Sequence, residues 1–406
     1  MKFSLVNLGC KVNRVEADSI GAALLAAGWV LADEGADVAI VNTCTVTAEA
    51  DRKTRKEVNR AVAHNPGAPV FVTGCAAAID PAAYEALSSA VRVVEKGNVV
   101  MECLRLAGEE YVHAPALLRV GEEFPTRVGV KVQDGCDNAC TYCIVHVARG
   151  KAWSVPVSQV LDEVQAYAQV GVHEVVLTGI DLGAYSSHGT SLADLILQLR
   201  TLCPETRLRI SSIEPVTIDD ALIEVLASQD GMVCRHLHVP LQSGSSKVLH
   251  DMARRYNAEE YAATIQKLRD AIPQLSLSTD IIVGFPGETE EDFTASLDLA
   301  HACKFSRMHI FRYSRREGTP AAARTDQVSA EAKAERMDRM QQLACELRLT
   351  EARERIGSQE RILIEACGRG MTESYFEVHV PKTAHRGALV EATLREYNEK
   401  DGIFSL

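Results

Sequence analysis

The sequence predicts an α/β protein in three parts: an open parallel α/β sheet, then a partial (β/α)6 barrel, then a small β-barrel. Three observations carry this. Apolar runs of strand length alternate with helical periodicity through the first hundred residues. A second series of six such alternations follows. After Gly357 the pattern changes to short strand-like runs between Gly and polar turns. At 406 residues the chain exceeds one ordinary domain. The expected divisions are 1–110, 122–345 and 346–406.

The elements follow in order. Residues 2–8 read as a strand and 14–27 as a helix stopping near Gly28. Residues 38–41 and 70–73 are further strands, with a charged helix over 48–63 between them. Asp80-Pro81 opens another helix, with Asp as N-cap and Pro in the first turn. This alternation predicts a parallel sheet with helices on both faces. Residues 108–125 lack periodicity and read as a linker. Six barrel strands are expected at 128–133, 174–178, 208–212, 237–241, 277–283 and 308–313, with helices at 158–170, 192–202, 219–228, 258–271 and 290–301. In such barrels chemistry sits at the carboxyl ends of the strands. A charge-rich helix over 328–356 presents Met337, Met340, Leu343 and Leu347 along one face, as a helix packed across a barrel does. Residues 361–367, 374–380 and 388–394 read as strands of the terminal module.

Apolar residues make up 47% of the chain, enough for full cores, and the net charge of -12 argues against wholesale non-specific nucleic-acid binding. No apolar run reaches the ~20 residues of a membrane span, and the start lacks a signal-peptide pattern. The expectation is a cytoplasmic protein with no membrane contact. In a reducing compartment its twelve cysteines are not structural disulfides.

Two cysteine groups stand out. Cys136, Cys140 and Cys143 form a C-x3-C-x2-C run after the first barrel strand and Gly135. Three thiolates from one loop suit one face of an iron–sulfur cluster and leave a fourth iron open to a cofactor. A zinc site completed by His146 is the alternative. Cys10, Cys44 and Cys75 each follow one of the N-terminal strands. In a parallel sheet those ends share one edge, so the three point to a second metal cluster, against the alternative of three separate core thiols. Cys103, Cys203, Cys234, Cys303, Cys345 and Cys367 show no such pattern and read as packing residues.

The C-x3-C-x2-C loop at the head of a six-unit barrel resembles the radical S-adenosylmethionine (SAM) superfamily. Leu8-Gly9-Cys10-Lys11-Val12-Asn13, Asn42-Thr43-Cys44-Thr45-Val46, Thr73-Gly74-Cys75, Gln133-Asp134-Gly135-Cys136 and Asp280-Ile281-Ile282-Val283-Gly284-Phe285-Pro286-Gly287-Glu288-Thr289 resemble the methylthiotransferases within it. The terminal module resembles a TRAM domain. The resemblance covers nearly the whole chain. The Gly-Cys-Lys-Val-Asn form is similar to the branch acting on N6-threonylcarbamoyladenosine beside the tRNA anticodon.

What the resemblance implies is specific. Two [4Fe-4S] clusters are expected. The open iron of the Cys136/Cys140/Cys143 cluster would chelate the amine and carboxylate of SAM. Its electron would give methionine and a 5′-deoxyadenosyl radical, which takes hydrogen from carbon 2 of adenine. The Cys10/Cys44/Cys75 cluster would hold or supply the sulfur. Thr178 and Gly179 follow the second barrel strand, where Gly lets backbone approach the SAM methionine. Ser212 and Glu214 follow the third, Gln242 the fourth, and Asp280 lies on the fifth. Each is a candidate SAM contact, against an ordinary loop or barrel-interior role. Phe311 and Tyr313 share a side of the sixth strand, flanking an adenine or packing the core. Lys382, Arg386 and Arg369 are candidate RNA phosphate contacts. Expected partners are tRNA and a reductant protein such as flavodoxin or ferredoxin, with the chain a monomer. Residues 144–147 and 151–156 depart from the family pattern. Alternatives are methylthiolation of another tRNA adenosine or of a ribosomal protein side chain, and a non-catalytic iron–sulfur RNA-binding protein.

Overall fold

The computed structural model describes all residues except 46–47, 110–125 and 229–230. The expected linker at 108–125 therefore lies almost wholly outside the described residues. The chain forms two compact units. The first holds the N-terminal residues up to 109, together with Gly135–Asp137 and Cys143–Lys151. The second holds the remainder.

The first unit is built on a five-stranded, fully parallel sheet. Its strands are β1 (Lys2–Asn7), β2 (Val30–Leu31), β3 (Val38–Thr43), β4 (Val70–Gly74) and β5 (Val91–Val93), in the order β2-β1-β3-β4-β5. Helices α1 (Lys11–Ala26), α2 (Ala48–His64), α3 (Cys75–Ile79), α4 (Pro81–Glu85) and α5 (Val99–Ala107) connect and flank them. Strand alternation divides the core. Val38 and Ile40 face a layer with Leu24, Cys103 and Leu104, while Ala39 and Val41 face one with Val58 and Tyr84. Helices thus cover both faces, as the sequence predicts. Asp80 caps α4 by accepting from the Ala83 amide at 3.1 Å. The two short edge strands, α3 and α5 were not foreseen. Strands of two and three residues and the five-residue α3 carry too little periodicity to register, and the nine residues of α5 make only two and a half turns.

In the second unit six parallel strands run in sequence order: Val128–Lys131, Glu174–Thr178, Arg207–Ile210, His236–His238, Ser276–Val283 and Arg307–Arg312. Continuous pairing joins the first three and the last three, and a bridge between Ser212 and His238 connects the two sets. This is the expected partial barrel. Its helices start where side-chain caps allow: Ser191 with Asp194, Asn257 with Glu260 and Thr289 with Asp292 form reciprocal capping boxes. The first strand ends earlier than predicted, because Gln133–Asp134 turns away to pair antiparallel with Trp153–Ser154. The long helix runs Ala330–Arg355, capped by Ser329, and buries Met340 and Leu347.

The terminal residues form a six-stranded, largely antiparallel sheet over Gln359–Ala366, Arg369–Thr372, Glu377–His379, Leu389–Thr393, Glu396–Asn398 and Ile403–Ser405. Buried charge joins it to the barrel. Glu174 is completely buried and ion-paired to Arg207 and Arg209. The two guanidiniums then donate to carbonyls of the terminal sheet: Arg207 to Arg361 at 2.5 Å, Arg209 to Glu373 at 3.0 Å and Thr372 at 3.1 Å. Tyr375, held at φ +69°, stacks on His236 with ring centroids 4.7 Å apart. Burial alone would raise the Glu174 pKa. The charges of Arg207, Arg209 and Arg127 outweigh it and bring the carboxyl down to about 2.

Glu174→Gln leaves two arginines buried without a counter-charge. It should cost this unit about 3–5 kcal/mol in chemical denaturation. The exposed Arg369–Glu377 pair is the control: Glu377→Gln should cost under about 1 kcal/mol. Because the folded pKa is depressed, the Glu174 contribution is fully present above the ordinary carboxylate pKa. It fades as pH falls towards about 2.

Candidate functional site

Parallel register brings the three dispersed cysteines of the first unit together. Asn7 aligns with Asn42, and Thr43 with Gly74, so β1, β3 and β4 end on one edge. Cys10 caps α1, Cys44 follows β3, and Cys75 opens α3. Their shared neighbour is Asn13, whose side chain is wholly buried. The thiols of Cys10 and Cys75 each lie 3.8 Å from its Oδ1. Its Nδ2 donates to the carbonyls of Leu8 at 2.9 Å and Thr43 at 2.7 Å, fixing the approaches to Cys10 and Cys44. Gly9, at φ +103°, is obligatory: a Cβ there would lie 2.7 Å from the Cys44 sulfur. Lys96 Nζ stands 3.7 Å from the Cys75 sulfur. Three thiols, one of them with the Lys96 ammonium as donor, fit a cubic iron–sulfur group, whose sulfurs accept hydrogen bonds.

The second cysteine group lies on the loop after Gln133–Asp134. Gly135 sits at φ +71°, and a Cβ there would come within 1.9 Å of the Lys151 carbonyl oxygen, so the turn admits only glycine. The Cys136 amide donates to Gly150 O at 3.1 Å, and the Val145 amide to the Cys143 sulfur at 3.4 Å. His146 lies on the short helix Val145–Arg149 that follows. In the second unit Cys140 is buried, and Arg254 Nη1 reaches its sulfur at 3.3 Å. Thr141 fixes the chain there, its amide donating to Met252 O and its hydroxyl to Asp251 O. A donor set of soft thiolates with N–H groups on their sulfurs suits iron–sulfur ligation.

The barrel residues occupy distinct environments. Thr178 is buried at the end of its strand. Gly179 is closely packed, and a Cβ there would lie 2.9 Å from Gln133 Oε1. That oxygen accepts from the amides of Ile180 and Asp181 at 2.9 and 2.8 Å. Ser212 bridges to His238. Glu214 is ion-paired to Arg254, the residue that touches Cys140. Gln242 takes a left-handed φ of +66° that its backbone bonds to Asp280 and Ile282 hold in place. Asp280 lies between two imidazoles, His238 Nε2 at 3.3 Å and His309 Nδ1 at 3.2 Å. Ser278 Oγ connects His236 and His238, each at 3.0 Å, so a polar chain runs along the lumen. Burial would raise the Asp280 pKa, but the hydrogen bonds from His238 and His309 hold it far below the usual carboxylate range.

Some expectations need revision. Tyr313 is buried against Phe285, whereas Phe311 is 39% exposed, so the two do not share an environment. Cys103, Cys203, Cys234 and Cys303 are packing residues, with burial pushing the thiols of Cys103 and Cys303 up to about 12. Cys345 and Cys367 are exposed instead. Arg369 pairs with Glu377, and Lys382 and Arg386 are exposed. Arg254 and His309 were missed, because neither lies in a recognisable spacing and only folding brings them to Cys140 and Asp280.

Comparison with known proteins agrees with this architecture. The model of the Radical SAM superfamily matches residues 130–300, and that of Uncharacterized protein family UPF0004 matches residues 2–95. Threonylcarbamoyladenosine tRNA methylthiotransferase MtaB of Bacillus subtilis is 40% identical over 84% of this chain and 79% of its own length. The MtaB protein of Thermotoga maritima is 36% identical over 92% and 88%. The chain belongs to the radical SAM methylthiotransferase family. A relative of the same family, tRNA-2-methylthio-N(6)-dimethylallyladenosine synthase of Mycobacteroides abscessus, is 37% identical over 91% and 78%. The solved radical SAM methyltransferase TsrM of Kitasatospora setae shares the fold, with a TM-score of 0.58 at 17% identity, over 79% of this chain and 77% of that one. As a radical SAM methylthiotransferase the protein is a transferase that uses SAM and a [4Fe-4S] cluster. No helix among the described residues is long and apolar enough to cross a membrane.

Asp280→Asn removes the charge that both imidazoles share. It should destabilise the barrel by about 1.5–3 kcal/mol at neutral pH, the range for hydrogen bonds to a charged group. The folded pKa is depressed, so the wild-type advantage should hold above pH ~4 and shrink below it as the carboxylate protonates. Denaturation midpoints of both proteins from pH 7 to pH 3 measure this.

Proposed function

We propose that this methylthiotransferase adds a methylthio group to carbon 2 of N6-threonylcarbamoyladenosine next to the tRNA anticodon. The observation that carries the reading is the gathering of Cys10, Cys44 and Cys75 around Asn13 on one sheet edge. It supplies a second thiolate site in addition to the Cys136, Cys140 and Cys143 loop. Methylthiolation calls for both, since an unactivated C–H bond needs a radical and sulfur needs a carrier. The choice of nucleoside is supported by the MtaB relatives and the Lys11-Val12 pair within the Gly9–Asn13 motif.

In this reading Cys136, Cys140 and Cys143 hold the [4Fe-4S] cluster of SAM cleavage, and Cys10, Cys44 and Cys75 hold a second [4Fe-4S] cluster. When bound, the first supplies the electron that splits SAM into methionine and a 5′-deoxyadenosyl radical. Arg254 places a buried cation on the Cys140 sulfur and fixes the Glu214 carboxylate. Thr178, Gly179, Ser212, Glu214, Gln242 and Asp280 form the SAM-binding rim, where Asp280 is kept ionised to accept a hydroxyl hydrogen bond. The protein works in the cytoplasm as a monomer, with tRNA as substrate and a flavodoxin- or ferredoxin-type protein as reductant. The division 1–110, 122–345 and 346–406 belongs to the same proposal, the last segment being a TRAM-like RNA-contacting module.

Reconstituted enzyme incubated anaerobically with SAM, reductant and tRNA should yield 2-methylthio-N6-threonylcarbamoyladenosine in nucleoside digests. Product only on dimethylallyladenosine, or on a ribosomal protein, would redirect the substrate. Absence of 5′-deoxyadenosine would remove the enzymatic reading. Cys140→Ala should abolish 5′-deoxyadenosine formation. Cys44→Ala should retain it and lose the methylthio product.

A further inference from the structure

The buried ion pair of Arg149 and Glu16 lies directly behind the Cys10, Cys44 and Cys75 site, within the first unit. The Arg149 side chain is 1% exposed and that of Glu16 10%. The guanidinium grips the carboxylate with two bonds, Nη1 at 3.0 Å and Nη2 at 3.2 Å. The same Nη2 donates to Asn13 Oδ1 at 2.6 Å. That oxygen is the atom lying 3.8 Å from both the Cys10 and Cys75 sulfurs. One amide therefore separates a buried cation from two thiols. Fixing the loops needs less than this, because Asn13 already does so through Leu8 and Thr43.

We propose that Arg149 and Glu16 are positioning residues that set the electron affinity of the group held by Cys10, Cys44 and Cys75, with Asn13 as the relay. This rests on the reading that those cysteines hold an iron–sulfur cluster. Charge and hydrogen bonds near such a group tune its potential. A cation behind it favours the reduced form, an anion the oxidised form, and low local polarity enlarges both effects. The chemistry gives this a use. Joining a carbon-centred radical to a methylthiolate brings three electrons to a C–S bond that takes two. The third passes to the cluster, which is reduced by one electron, and no proton is required. Lys96, 3.7 Å from the Cys75 sulfur, is a second cation on the same site and acts in the same sense as Arg149.

The test uses the full chain with Cys136, Cys140 and Cys143 all changed to Ala, so that only one cluster is present. Its potential is read by electron paramagnetic resonance during reductive titration. Arg149→Gln removes the cation and leaves Glu16 bare, so the potential should shift negative. Glu16→Gln leaves the cation unopposed, so it should shift positive. Arg149→Lys, which keeps the charge, should shift least. Opposite signs for the first two support the proposal, because a purely structural contact has no reason to produce them. Shifts of the same sign, or none, overturn it. Should Arg149→Gln fail to retain iron, the sign from Glu16→Gln decides alone. A triple-Ala background without bound iron and sulfide would overturn both this inference and the second-cluster reading. A cluster present but indifferent to Arg149 and Glu16 would overturn only this one.

Discussion

Parallel pairing obliges every strand of a sheet to end on the same side, and the candidate chemistry of this chain depends on that constraint. In the first unit it converts three cysteines separated by more than thirty residues each into neighbours of one asparagine. Asn13 can do this because its side chain has both donor and acceptor ends. The donor end binds two strand-end carbonyls, and the acceptor end meets two thiols and Arg149. An apolar residue in that place would leave the Leu8 and Thr43 carbonyls without these bonds. Glycine supplies the complementary condition: Gly9 makes room for the Cys44 sulfur, and Gly135 lets the later cysteine loop turn against Lys151.

The second unit uses charge at the opposite end of its barrel. Glu174, Arg207 and Arg209 occupy a buried position that apolar residues would fill more simply. Their arrangement is directional, because each guanidinium has donors left over for carbonyls of the terminal sheet. A carboxylate shared by two forks thus specifies where that sheet docks. Tyr375 completes the contact, its ring stacked on His236 and overlain by Arg127, Arg209 and Arg307. From His236 the polar chain of Ser278, His238, Asp280 and His309 continues along the lumen. The terminal module thus reaches Asp280 through one ring stack, Tyr375 on His236, followed by hydrogen-bonding side chains.

Long periodic elements were legible in the sequence. The strand Glu174–Thr178 and the helices Leu192–Leu202 and Ala258–Ala271 match the sequence reading to the residue, because capping residues and apolar periodicity agree there. The cysteine groups were legible through spacing and through their place after strands. What escaped is what only tertiary structure defines. Arg254 reaches Cys140 across 114 positions of sequence, and Arg149 reaches Asn13 across 136. No local pattern marks either residue. The terminal sheet was half visible: the three strands that escaped, Arg369–Thr372, Glu396–Asn398 and Ile403–Ser405, have three or four residues each, too short for alternation to separate them from loop. The close approach of Gly179 to Gln133 is of the same kind, since the sequence does not announce it.

Overall identity does not decide which nucleoside is modified. Relatives named for threonylcarbamoyladenosine and for dimethylallyladenosine stand at 40% and 37%, each over more than four-fifths of the chain. Cluster loops, glycine turns and barrel cores serve the radical chemistry that both kinds of relative share. Discrimination between a carboxylate-bearing and an apolar substituent instead requires a few polar or apolar side chains open to the substrate. On the last barrel strand, alternation and exposure leave His309 and Phe311 open, side by side on one face and in register with Asp280 and Ile282. One offers an imidazole oriented by a carboxylate and the other an aromatic surface. Selectivity resting on so few atoms can change between relatives while the scaffold holding both cysteine groups stays the same.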